Sequence, residues 1–548
     1  MFTTMRQLNL ILLLSFLSNT HLLRAQVNPG PNIAWQQCYG GTGTDHYYNA
    51  IKTSDGGYIA RIVSGSTDGD LTDVETPGGW IIKYDSTLNV QWQNFYADNP
   101  CNVQAAQILE FSSHYYLLGY GGSECPEVNG NNDIVITKIT LDGEVVWTRL
   151  FGSPGFEEYG TAIVTQDSCL LFAGESFSSG GDVPIHYGSG FYQDIIIGKV
   201  DTSGNLLWLE VLGGSIGEAA LSNIHETARG EYLFTFGSTS NDHDLAVAGF
   251  EGRKLWFCKM DSLGNVMQQA FYDGDYYANN ASVFVESVVL GDHLMLPGFL
   301  KDGATFPGFE SYGQFDGCLA LINYEDLTFE ELYQYGGSKL DVLTRLKSGP
   351  DGRFYLLGYS YSSDIDLPDN YNDGAEEDYW LLALNPDYTV AWSRNFGGSH
   401  PYGDLGNSDF KGSLLVEEER VLTFLPVMEA AVIPDYDVNC NHGGVNTWDA
   451  WLVAFDLTTN IPEVTNQPGI QVYPNPADSF VFIDGSQTGS SEYTLILLDA
   501  LGRKVWQNTW RSNEPHQIDV SSFQPGTYQI ILQNSDGEMY SIPIIINR

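Results

Sequence analysis

Short apolar, β-branched and aromatic runs recur along this chain, each bounded by Gly, Asp, Asn or Ser. One set comprises Trp80 to Tyr84, Ile134 to Lys138, Ile195 to Lys199, Trp256 to Lys259, Leu319 to Ile322, Trp380 to Ala383 and Trp451 to Ala454. A second set opens at Trp35, Trp92, Trp147, Trp208, near Gln268, near Glu331 and at Trp392, and most of its members close on an aromatic-Gly-Gly corner such as Tyr39-Gly40-Gly41. Runs this short with such boundaries predict strands, and no stretch sustains a helical period. Asp-Gly pairs such as Asp55-Gly56 and Asp142-Gly143 supply the positive φ of hairpin turns. Each copy therefore reads as a four-stranded antiparallel meander with a long acidic loop between its second and third strands.

The copies repeat about every 50–60 residues, a period that belongs to arrays and propellers. Seven four-stranded copies predict an all-β, seven-bladed β-propeller over residues 26–460, within the usual range of roughly four to eight blades. The first copy is cut: Ile33 to Tyr39 supplies a fourth strand with nothing before it, while Gly403 to Leu457 supplies three strands with no fourth. The N-terminal strand is expected to complete the last blade, pairing edges that would otherwise attract other chains.

Charge narrows the partners. The 548 residues hold 69 Asp and Glu against 24 Lys and Arg, a formal net charge of −45. From residue 470 onward there are eight acids and four bases, so most of that charge lies on the repeats. A polyanionic surface repels phosphate backbones, which argues against nucleic acid and leaves cations, basic surfaces and neutral glycans. Arg6, the apolar run Leu8 to Leu17 and Ala25 before Gln26 read as an export signal over residues 1–25, cleaved between Ala25 and Gln26. That run is too short to span a bilayer, and no other segment reaches about 18 uninterrupted apolar residues, so the mature form is expected to have no transmembrane span.

Export permits disulfides. Of the seven cysteines, Cys101 and Cys125 fall at the same end of the second blade, and Cys440 in the last blade's long loop could reach Cys38 near the end of the closing strand; both pairs are candidate disulfides. Cys169, Cys258 and Cys318 lie at or within strands and are expected to pack as small hydrophobes.

The texture changes after residue 460. A polar linker, 461–469, leads to a segment of about seven short strands, 470–548, with the pattern of a small immunoglobulin-like sandwich. It carries Tyr473-Pro474-Asn475-Pro476-Ala477, then Asp499 to Val505 with Gly502 and Arg503, and finally Pro525-Gly526-Thr527-Tyr528. These motifs closely resemble the type A C-terminal sorting domain of the type IX secretion system of Bacteroidetes-like bacteria. The repeats also look like those common in cargo of that system. The resemblance implies passage through the inner membrane by the signal peptide, recognition by the type IX machinery, and release or attachment at the outer cell surface.

Chemistry is harder to find. Gly213-Gly214-Ser215-Ile216-Gly217 fits G-x-S-x-G but is a copy of the blade corner, without the strand-to-helix turn of a nucleophile elbow. There is no HExxH and no CxxC. The acidic loops remain. Asp68 and Asp70, and Asp364, Asp366 and Asp369, stand at near-alternate positions that offer the oxygen ligands of a structural Ca²⁺. Asp242, Asp244, Asp373, Glu376, Glu377, Asp378, Asp435 and Asp437 are candidate ligand-binding carboxylates on the same variable face. No catalytic residue is assigned. The reading is a secreted or surface propeller that binds a glycan or protein as a scaffold, with an extracellular hydrolase of glycans or peptides as the alternative.

Overall fold

The computed structural model describes residues 28–71, 78–96, 104–122, 125, 128–189, 192–219, 223–246, 254–273, 286–301, 312–367, 377–398, 412–428, 437–440, 442, 447–457, 470–474, 477, 479–485, 492–498, 504–512, 515–523, 526–534 and 539–547. It forms two compact units, divided between Phe455 and Asp456. Among the described residues no helix is long and apolar enough to cross a membrane.

Among the described residues the first unit consists of seven antiparallel sheets. Blade 1 shows the plan, running Asp45–Lys52, Tyr58–Ser64, Gly78–Tyr84 and Val90–Phe95 in sequence order across the sheet. Blades 2, 3, 5 and 6 repeat it. Blade 4 does so with its first strand divided into Glu218–Ala219 and His225–Glu226. Blade 7 takes Ser413–Val416, Arg420–Met428 and Trp448–Asp456 from one end of the chain and its fourth strand, Ile33–Tyr39, from the other. The register of that closure sets Trp35 opposite Ala454 and Cys38 opposite Trp451.

Burial explains why the strands read as they do. Third strands lie between two neighbouring blades, so both faces are covered and the sequence loses its alternation. Asp194–Val200 and Asp378–Leu384 are buried at every position. Fourth strands sit at the rim and stay mixed, as in Val145–Phe151. The tryptophan of one rim strand docks on the third-to-fourth turn of the next blade. Trp92 Nε1 donates to Leu141 O at 3.0 Å. Gly143, at φ +87, lies so close that a Cβ there would come within 3.2 Å of the Trp92 ring, and Gly204 and Gly264 face Trp147 and Trp208 in the same way. Glycine in these turns serves both the positive φ and the close approach.

The second unit is a two-sheet sandwich. Gln471–Tyr473, Phe480–Asp484 and His516–Asp519 form one sheet, and Lys504–Arg511, Glu492–Leu498, Gly526–Asn534 and Met539–Ile546 form the other. Val481, Ile483, Leu495, Leu497, Trp510, Ile530 and Ile544 fill the space between them. Tyr528 of the sorting motif is buried in that core, while Gly526 and half-exposed Tyr473 lie on strands outside it. Asn475, Pro476 and Gly502, the linker, and the cleavage pair Ala25–Gln26 lie outside the described residues.

Cys38 and Cys440 are joined by a disulfide. Cys125 is buried and disulfide-bonded, and Cys101 lies outside the described residues. Cys258 and Cys318 are free and buried. Cys169 differs from expectation: it is free but only half-buried, because it sits in the turn before the strand Leu170–Ser176 rather than within it.

Candidate functional site

The acidic loops hold the blade corners. In blade 1 the Asp70 backbone N–H donates to Gly40 O at 2.9 Å, and the Asp70 carboxylate accepts the Gly40 N–H at 3.1 Å. Asp366 makes the same two-way clasp with Gly336, at 3.2 Å in both directions. Asp244 does so with Gly213 more loosely. The Asp437 N–H donates to Gly397 O at 3.0 Å, and its carboxylate lies 3.4 Å from Arg394. Two residues earlier in these loops, Asp68, Asp242 and Asp364 accept the backbone N–H of Thr42, Ser215 and Ser338 at 2.7, 2.8 and 2.8 Å.

Hydrogen bonds from the Thr42 backbone and side chain lower the Asp68 carboxyl group below the ordinary carboxylate range, and those from the Ser215 side chain and backbone do the same to Asp242. Burial raises Asp244 instead. Of the carboxylates selected from sequence as metal or ligand contacts, Asp68, Asp70, Asp242, Asp244, Asp364 and Asp366 thus receive corner N–H groups. Among the described residues no three His, Cys, Asp or Glu side chains are grouped to hold a metal. Asp369, Asp373, Glu376 and Asp435 lie outside those residues. Glu377 and Asp378 are buried, Asp378 as the first residue of its strand.

A different site emerges at the centre. A cavity of about 290 Å³ is lined by residues from the inner edge of all seven blades, among them Asn49, Gln107, Thr161, Asn223, Glu286, Arg345 and Ser413. Four first strands carry one extra residue on the way in, at Tyr48, Ala106, Gly160 and Thr344. The bulge re-aims the residue that follows. Asn49, Gln107, Thr161 and Arg345 occupy that following position and all line the cavity.

Inner strands of neighbouring blades are not laddered to one another, so their facing backbone groups need other partners. Side chains supply them. Ile108 N–H donates to Asn49 Oδ1 at 2.9 Å, and Ala162 N–H to Gln107 Oε1 at 2.8 Å. Arg345 Nε donates to Gly412 O at 3.1 Å, and Ala50 N–H to Ser413 Oγ at 2.8 Å.

The charge of this lining runs against that of the molecule. Arg345, Lys347 and Glu286 are its charged members, two bases and one acid. Lys347 Nζ pairs with Glu286 Oε1, and Arg345 Nε lies 3.8 Å from Glu286 Oε2. Beside them, His225 Nε2 contacts Ser287 Oγ at 2.6 Å. Burial pulls the His225 pKa down to about 4; Glu286 opposes that and Lys347 adds to it. The ring is therefore neutral near pH 7.

Sequence reading passed over this cluster, yet it left a trace. Positions equivalent to Arg345 and Lys347 hold Asn49 and Ile51 in blade 1, Gln107 and Leu109 in blade 2, and Thr161 and Ile163 in blade 3. Two bases two residues apart on one strand share a face.

Comparison with known proteins places the second unit. Residues 471–547 match the family described as a secretion system C-terminal sorting domain. The tail is a type IX sorting domain. This sorting domain marks the chain as cargo for export to the cell surface or beyond. No curated protein matches the chain. Among solved structures, a protein of unknown function from Dyadobacter fermentans aligns at 12% identity and TM-score 0.36, covering 78% of this chain and 100% of that one. A fungal alcohol oxidase of the AA5 family aligns at 11% identity and TM-score 0.41, covering 94% and 100%. A Trypanosoma rangeli sialidase aligns at 8% identity and TM-score 0.32, covering 80% and 84%. Resemblance at this level carries nothing about the chemistry of this chain.

Proposed function

We propose that this type IX cargo is a non-catalytic binding scaffold of the outer cell surface or its surroundings, with its ligand seat in the central channel. The proposed ligand is an acidic glycan whose carboxylate or sulfate meets Arg345 and Lys347. The observation that carries this reading is the reversal of charge: a chain of net charge −45 lines its channel with two bases and one acid. Low-dielectric walls focus such a field on an entering anion. The cavity suits a group of roughly monosaccharide size.

Titration calorimetry of the purified chain with acidic and neutral oligosaccharides tests it. Acidic members should bind with an affinity that falls as salt rises. Lys347→Met should weaken them tenfold or more, about 1.4 kcal/mol. Equal binding of neutral glycans by both proteins, or no binding at all, would remove the channel from consideration. The hydrolase reading needs two carboxyl groups flanking a scissile bond. Among the described lining residues Glu286 is the one carboxylate, and it is ion-paired. Glycan turnover abolished by Glu286→Gln would restore that alternative.

A further inference from the structure

At four blade junctions, a carboxyl group at the start of one blade's third strand is buried near another at the start of the next blade's first strand. The pairs are Asp133 with Glu157, Asp194 with Glu218, Asp316 with Asp341, and Asp449 with Asp45. All eight are 0% exposed. The corner glycine is what lets three of them meet closely: Gly40 between Asp45 and Asp449, and Gly152 and Gly213 at the first two junctions. The point where a Cβ on Gly152 would sit is 2.5 Å from both Asp133 Oδ1 and Glu157 Oε2; on Gly213 it is 2.1 Å from Asp194 Oδ1 and 2.9 Å from Glu218 Oε2.

The donors around these pairs reach both oxygens of each glutamate but only Oδ2 of each aspartate. Glu157 accepts the Ser153 N–H at 2.9 Å and the Ser176 hydroxyl at 2.6 Å, and Asp133 Oδ2 accepts the Asn129 N–H at 2.8 Å. Glu218 accepts the Gly214 N–H at 3.2 Å and the Ser238 hydroxyl at 2.7 Å, and Asp194 Oδ2 accepts the Tyr187 N–H at 2.6 Å. Asp133 Oδ1 and Asp194 Oδ1 are fully buried with no hydrogen-bond donor, and each is directed at the other carboxyl group of its pair. Two bare carboxylates in that position repel each other in a medium that solvates neither. One proton between them converts the repulsion into an O–H···O⁻ hydrogen bond, among the stronger kinds, and satisfies the orphaned oxygen.

We propose that the Asp133–Glu157 and Asp194–Glu218 junctions are proton-binding sites, in which each of these two buried carboxyl pairs of the folded ring holds one proton and loses it when the ring opens.

The surroundings act in the same direction. Burial raises Asp133, Glu157 and Asp194 above the ordinary carboxylate range. It pushes Glu218 up to about 8 and Asp341 to about 6, with the charges of Asp194 and Asp316 adding to each. Asp244 also faces the Asp194 pair, as does His186, 3.9 Å from Asp194 Oδ2. Asp182 faces Asp133, and Asp366 caps the same Gly336 corner as Asp341. His442 lies 3.4 Å from Asp449 and 3.3 Å from Asp70. Because the folded values are raised, the stabilisation is complete below the unfolded values near about 4 and is lost as pH climbs through the folded ones.

The test uses the full chain. Its Tm should fall as pH rises from about 6 to about 9, and Glu218→Gln, whose amide can donate to Asp194 Oδ1, should reduce that fall. Infrared difference spectra of the wild type at neutral pH should show a protonated carboxyl C=O band that weakens in the variant. Absence of that band in the wild type, or a variant whose Tm tracks the wild type in parallel across the range, would overturn the proposal. A calcium-induced rise in Tm at alkaline pH that Glu218→Gln abolishes would also overturn it, by making the pair a cation site. Where Glu218→Gln fails to fold, Glu157→Gln and the wild-type spectrum decide.

Discussion

A chain ending at residue 456 is expected to fold its ring and fail to reach the cell exterior. Among the described residues, the ring's hydrophobic clusters are built from propeller side chains, and the tail has its own core around Leu495, Trp510 and Ile530. Truncation therefore unpairs no strand of the seven blades while removing the whole sorting domain at 471–547. Cell fractionation and surface protease accessibility should show display reduced to background, with the protein held in the periplasm. The ring of the purified truncated chain should melt within a degree or two of the ring in the full one, since each unit has its own hydrophobic core. Undiminished surface display would show that the tail is not the export signal.

The second large effect concerns closure. Cys38→Ser removes a disulfide that spans 402 residues of sequence. Loop-closure entropy for so long a span puts the expected loss at the upper part of the usual range, about 2–5 kcal/mol. Other contacts at the same seam soften the outcome. Gln36 Oε1 accepts from Trp451 Nε1 at 3.0 Å, and Gln36 Nε2 donates to Asp437 O at 2.7 Å, so the strand Ile33–Tyr39 remains hydrogen-bonded. Thermal melts with and without reductant give the measurement: because reductant also opens the Cys125 disulfide, wild type and variant should melt apart when oxidised and together when both are reduced. Equal melting temperatures for oxidised wild type and Cys38→Ser would mean that the bridge adds nothing to the ring.

Much of this architecture was legible because it is repeated. A strand that resembles noise once becomes a signal when Trp80, Trp256, Trp380 and Trp451 recur at one place in the pattern, all four fully buried. The cut copy predicted the seam for the same reason. The acidic loops could not be read locally, for a physical reason. Asp68 and Asp70 have the same spacing whether they coordinate a cation, face solvent or cap a backbone corner, and the choice depends on a glycine some 30 residues earlier in the chain. Neighbours supplied by other blades cannot be read from local pattern. Arg345 and Lys347 illustrate the opposite failure: the residues were visible, but their meaning came from Glu286, which belongs to a different blade.

Completing blade 7 with Ile33–Tyr39 also makes the ring a test of its own completeness. The first described strand of the chain has its partner, Trp448–Asp456, at the far end of the repeats. During synthesis it has nothing to pair with until every intervening blade has been made. A chain lost partway would keep an open edge and an unpaired Cys38 thiol, both recognisable to folding and degradation factors. Only a finished molecule hides them, so one strand and one sulfur atom report that some four hundred residues are in place.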